Sequence, residues 1–326
     1  MNELISFPVY AKSVGEYQDM AELRRSCTEL GCDGIEAIWG GDDTFQRLPE
    51  GLAIGYHLIF YPDWLDFWRG DEAGLLRKFG SRESYISFYG GTGPDALVEQ
   101  YRQDLVRAKR LHARYVVFHV SDVSIEEGYT YHWKHSDAAV IDAAAELINL
   151  LTDGYDYPFT ILVENQWWPG FTFTNPALTE RLLNAIHPSD KGILLDTGHL
   201  MNTNPALGSQ REGVEYILQM LSRHGSLARC IRGVHLHQSL SGAYVRSHTG
   251  SLPIHLAEDY LTRFGESYAH ILRIDRHEPW TESCVREVVE RISPEFLTHE
   301  LSSRDRAARE SAVRVQRQAL WKTVRD

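Results

Sequence analysis

Downstream of residue 110, five short runs share one build: YVVFH (115–119), TILVE (160–164), GILLD (192–196), IRGVH (231–235) and FLTHE (296–300). Each is the length of a strand, too short for a helix, and closes on a side chain that can bind a metal. Amphipathic stretches of helical spacing separate them, at 136–151, 177–186, 211–224 and 281–292, and a last one follows at 305–321. Short apolar strands joined by helix-length crossovers build a parallel sheet, because parallel neighbours cannot be linked by a tight turn.

The N-terminal third extends the pattern. Strands are expected at 4–10, 34–39 and 53–60, and helices at 17–30 and 94–111, with a long aromatic loop over about 61–93. Eight strands, each followed by a helix or a long loop, predict one (β/α)8 TIM barrel spanning 1–326, with a second long loop at about 239–274. A doubly wound open sheet is the alternative, but no Gly-rich dinucleotide loop follows the first strand.

Composition narrows the class. With 43% apolar and 24% charged residues in 326, the chain has the make-up of a globular enzyme and not of a disordered one. The apolar runs are too short to cross a bilayer, and MNELISFPVY lacks a basic segment ahead of an apolar stretch, so neither a membrane span nor a signal peptide is expected. Cys27, Cys32, Cys230 and Cys284 form no CxxC pair and read as thiols in a reducing cytoplasm. A net charge of −12 opposes attraction to a polyanion, so a small molecule is the expected partner and nucleic acid is not. The sequence leaves self-association open.

The strand-end residues His119, Glu164, Asp196, His235 and Glu300, with His57 late in the third strand, would all face the mouth of a parallel barrel, where active sites of such barrels sit. A single strand-end histidine is more often a hydrogen-bonded structural residue, so the set carries the signal. Burying such a ring without a counter-ion costs several kcal/mol per group, which a cation offsets. Carboxylates mixed with imidazoles suit zinc, manganese, iron or cobalt better than calcium.

The segments ILVEN, GILLDTGH, GVHLHQS and FLTHEL resemble the xylose isomerase-like TIM barrels, which include sugar and sugar-phosphate isomerases and epimerases and endonuclease IV. The resemblance runs from about the third strand to the eighth. It implies one divalent metal held by Glu164, Asp196, His235 and Glu300. His237 points the same way as His235, but His235 aligns with the family's His-x-x-Asp segment, from which Gln238 departs. The resemblance to endonuclease IV further implies two more metals, held through His57, His119, His199, Asp275 and His277. Against that stands the insertion of about forty residues before Asp275, which could instead be an Asp at the N-terminus of a helix over PWTESCVREVVERI.

Two chemistries follow from the resemblance, and one reading without any. An isomerase or epimerase of a small sugar or sugar phosphate would use Glu164 and Glu300 as an acid/base pair across the substrate, with His199 orienting it. A multinuclear phosphoesterase would use Glu164 as a bridge between metals, with His199, Asp275 and His277 holding a third. A non-catalytic ligand-binding barrel is the reading of another class. Trp167 and Trp168 could stack on a substrate or pack the loop. Trp64, Trp68, Arg69, Arg77 and Arg82 could form a lid or phosphate clamp, although a packed surface excursion is the plainer expectation. Tyr129, Tyr131 and Trp133 belong to another aromatic loop at the same mouth. Glu36 reads as structural, and His112, His187 and His224 as surface residues.

Overall fold

The computed structural model describes residues 1–321. Eight parallel strands close a barrel in the order of the sequence: β1 (Asn2–Val9), β2 (Gly34–Trp39), β3 (Ala53–His57), β4 (Tyr115–His119), β5 (Thr160–Glu164), β6 (Lys191–Asp196), β7 (Ile231–Leu236) and β8 (Phe296–His299). β8 pairs back onto β1, with Asn2 opposite Phe296, and that pairing removes any free edge. No helix among the described residues is long and apolar enough to cross a membrane.

Alternation along each strand sorts the side chains into two cores. Leu4, Tyr115, Val117, Leu162, Leu194 and Phe296 point inward and fill the barrel. Their neighbours, such as Val116, Phe118, Ile161, Val163, Ile193 and Leu195, point outward and bury the apolar stripes of the helices. The helix Asp95–Arg110 shows the fit: Leu97, Val98, Tyr101, Leu105 and Ala108 are buried at helical spacing. Two residues beyond the inner apolar layer the same parity reaches His57, His119, Glu164, Asp196 and His235. The strand-end residues therefore form the next layer up, toward the mouth.

A glycine makes the floor of that layer. A Cβ on Gly55 would lie 2.3 Å from the ring of Tyr115. The space it leaves lets Tyr115 cross the barrel and donate to Glu36 Oε2 at 2.6 Å.

Several boundaries differ from the sequence reading. β3 stops at His57: Leu58 N–H still bonds to the Val117 carbonyl of β4, but Ile59 N–H turns away to Asp104 at 2.5 Å. The first long helix spans Met20–Glu29, later than expected, since Asp19 accepts from Glu22 N–H and caps it. The segment 61–93 is no open loop: it holds the short helices Leu65–Arg69, Glu72–Phe79 and Arg82–Tyr89, each followed by a glycine of positive φ. The stretch 239–274 likewise holds helices Gly242–His248 and Tyr260–Ile271. The helix before β8 begins only at Val285, because Gln210 takes the N–H groups of Thr281 and Glu282. His224 is buried, stacked on Phe173 with ring centroids 3.8 Å apart, and is not a surface residue.

Candidate metal centre

At the barrel mouth, three groups of side chains each bring their ligand atoms within 4.8 Å of one another. One joins His57, His119 and Glu164; a second joins Glu164, Asp196, His235 and Glu300; a third joins His199, His237, Asp275 and His277. Every candidate read from the sequence as a ligand lies in this set. Glu300 sits one residue past β8 and is 17% exposed at its side chain, so it forms the open edge of the cluster.

Glu164 stands between groups. Its Oε2 lies 2.9 Å from His119 Nε2 and 3.5 Å from His57 Nε2. Its Oε1 lies 3.2 Å from His199 Nδ1 and 3.4 Å from His235 Nδ1. One carboxylate is thus shared by both sides of the site.

The donor set fits divalent cations. Glu164 Oε1 and Oε2, His235 Nδ1, His237 Nδ1 and Glu300 Oε2 are buried yet have no partner in hydrogen-bond geometry. His235 Nδ1 and Glu300 Oε2 are only 2.8 Å apart, so close polar atoms meet without a well-formed hydrogen bond. Glu164, Asp196, Asp275 and Glu300 also bring four carboxylates to the groups, which divalent ions would offset.

Surrounding groups fix the imidazoles. His235 Nε2–H donates to Glu36 Oε1 at 2.8 Å, which turns Nδ1 into the cluster. His57 Nδ1–H donates to the Leu58 carbonyl at 2.9 Å, leaving Nε2 for the site. His199 Nδ1–H donates to the Asn165 carbonyl at 3.0 Å, and Nε2 faces Asp275 Oδ2 at 3.2 Å. Burial alone would raise the Glu164 carboxyl, but the imidazoles of His119 and His235 outweigh it and hold it well below the carboxylate range. Burial would likewise lower His235, but Glu300, Glu36 and Glu164 drive it well above the ordinary value.

The forty-residue insertion does not displace Asp275 and His277. Gln238, just past β7, forms an antiparallel bridge with Glu278, with N–H to carbonyl distances of 2.8 and 3.1 Å. That bridge returns the chain to the mouth. Asp275 is buried against His199, and Cys284 precedes the next helix, so the alternative of a helix-capping Asp275 does not hold. His277 adopts φ 48°, a left-handed conformation that directs it onto His237, ring centroids 4.2 Å apart.

Two residues escape the sequence reading. That reading prefers His235 to His237, yet both belong to the cluster, because residues two apart on a strand share a face. Glu36, read as structural, is fully buried under His235; its inward position on β2 is the available signal. Of the loop arginines, Arg69, Arg77 and Arg82 are exposed and none lines the cavity. Trp168 does line it, packed on Trp167 at 4.1 Å.

A cavity of about 730 Å³ rises above the cluster. His57, His119, His199, Asp275, His277 and Glu300 form its floor.

A family model described as xylose isomerase-like TIM barrel matches residues 25–319. No curated protein matches the sequence. Among solved structures, the IOLI protein with a bound zinc atom is 14% identical with TM-score 0.51, over 98% of this chain and 96% of that one. L-ribulose 3-epimerase is 13% identical with TM-score 0.49, over 96% and 91%. Endonuclease IV from Thermus thermophilus is 16% identical with TM-score 0.47, over 98% of both chains. At such identities the likeness concerns the fold alone.

Proposed function

The chain belongs to the xylose isomerase-like TIM barrel family, and on that premise we propose that it is a metal-dependent hydrolase of small phosphate esters with a trinuclear site. The observation that carries this reading is Glu164, whose two oxygens face different groups of imidazoles. A bridging carboxylate suits adjacent metals. An isomerase or epimerase would use Glu164 to move a proton to and from carbon, a role that suits a carboxylate shared between two groups of imidazoles less well than bridging does, so that reading ranks second. A non-catalytic barrel would have no use for so many buried, unpartnered donors.

When bound, divalent cations would supply Lewis acidity toward phosphoryl oxygens and lower the pKa of water. The chain does the rest. His57, His119 and Glu164 would hold one ion, Glu164, Asp196, His235 and Glu300 the next, and His199, His237, Asp275 and His277 the third. Glu36 keeps His235 aimed inward. Glu300 lines the cavity and is the carboxylate we assign to accept the proton of the attacking water.

Elemental analysis of zinc- or manganese-loaded protein tests the reading, together with hydrolysis of phenyl phosphate. About three ions per chain and metal-dependent release of phosphate are expected. A single ion per chain, with solvent deuterium entering a ketose, would transfer support to the isomerase reading.

A further inference from the structure

The walls of the cavity differ sharply from its floor. Above the ligand layer stand Trp39, Phe60, Trp168, Phe264, Tyr268 and Leu272. Phe60 and Leu272 are 44% and 43% exposed, so apolar surface is held open to solvent inside a recess. Among the described residues, no lysine or arginine lines the cavity. Its two wall carboxylates are already engaged: Asp63 with Lys78 at 2.6 Å, and Asp104 with Arg107 at 2.6 Å and the Tyr56 hydroxyl at 2.7 Å. The buried indole N–H of Trp168 has no acceptor.

This lining restricts what the site can hold. A sugar brings several hydroxyls, and each would lose water against aromatic rings that return few hydrogen bonds. A nucleic acid brings a row of phosphates, which need a track of cations that the walls do not provide. A compact apolar group loses little and gains by burial. Any anionic head must be matched at the floor, where the metals would sit.

We infer that the substrate is a phosphate ester of an apolar alcohol, with its phosphoryl group on the floor and its organic group against the aromatic walls. This rests on the hydrolase reading above. In the step, a water oxygen bonds to phosphorus while the bond from phosphorus to the ester oxygen breaks. The alcohol leaves with one proton and inorganic phosphate retains the rest.

Binding separates the pocket from the chemistry. In calorimetry on the zinc-loaded full chain, phenylphosphonate, which cannot be cleaved at its carbon–phosphorus bond, should bind on the order of 10- to 100-fold tighter than methylphosphonate, the weight of burying one ring. It should also bind tighter than ribose 5-phosphate. Equal or tighter binding of methylphosphonate or ribose 5-phosphate overturns the inference, whatever the rates. Selective binding of phenylphosphonate without cleavage of phenyl phosphate overturns the hydrolase reading and leaves the preference of the pocket standing.

Discussion

Replacing Gly198 by Ala should remove one metal from the centre while leaving the barrel folded. Gly198 lies in the helix Thr197–Asn202 directly after Asp196, and an added Cβ would sit 2.0 Å from His237 Cε1 and 2.3 Å from its Nδ1. Ordinary carbon contacts begin near ~3.5 Å, so the ring must retreat by roughly 1.5 Å. Metal–ligand distances tolerate only about 0.2 Å, and His237 cannot move that far and still bind. Retreat also breaks the 2.9 Å contact of His237 Nε2 with Asp196 Oδ2, a loss of about 1.5–3 kcal/mol. Alanine in a helix returns up to about 1 kcal/mol of that. The net expectation is a fall of a few degrees in Tm, a drop from about three ions per chain to two, and a weakening of the third site by at least ~10- to 100-fold. Elemental analysis after dialysis against a weak chelator, with circular dichroism as the folding control, reads all three. Three ions retained at unchanged affinity would refute His237 as a ligand and the stoichiometric argument with it.

Glu164→Gln should cost more than one ion, because the bridging carboxylate serves two groups; phosphate release should fall by on the order of 10³-fold or more, checked by single-turnover assay beside metal content. Glu36→Gln touches no ion directly but weakens the hold on His235, so metal affinity should drop ~10- to 100-fold with the fold intact, as read by competition with a coloured chelator. Stability should also fall as pH rises through neutrality. Asp122 is buried, and burial together with the charge of Asp63 raises its carboxyl to about 7. A raised carboxyl keeps its proton in the folded state, so its contribution is full below the unfolded value near ~4 and fades through the folded one. Between pH 6 and 8 the expected loss is on the order of 1 kcal/mol in denaturant titrations, and Asp122→Asn should flatten that slope.

Much of this is legible in the sequence because strand parity and metal chemistry coincide. In TILVE the inward positions are Thr160, Leu162 and Glu164, so one short word of sequence specifies barrel filling and a candidate ligand together. The same holds for YVVFH and GILLD. What escapes is what depends on distant partners. Glu36 gains its role only when His235, far along the chain, closes over it. His237 is masked by Gln238, which breaks the expected motif and instead bridges to Glu278. The helices within 61–93 are short and aromatic, held by caps and packing and not by a long periodic stripe. His224 has the sequence context of a helix-end surface residue, and nothing local foretells its stack on Phe173.

The two-residue clasp between Gln238 and Glu278 separates anchoring from selection. Whatever lies between its ends reaches over the mouth and supplies Phe264, Tyr268 and Leu272, while Asp275 and His277 stay pinned beside the clasp. A lengthened, shortened or recomposed span would reshape the canopy without moving the imidazoles and carboxylates beneath. Variation in what such barrels accept can then accumulate in that one stretch, with the reactive layer left untouched.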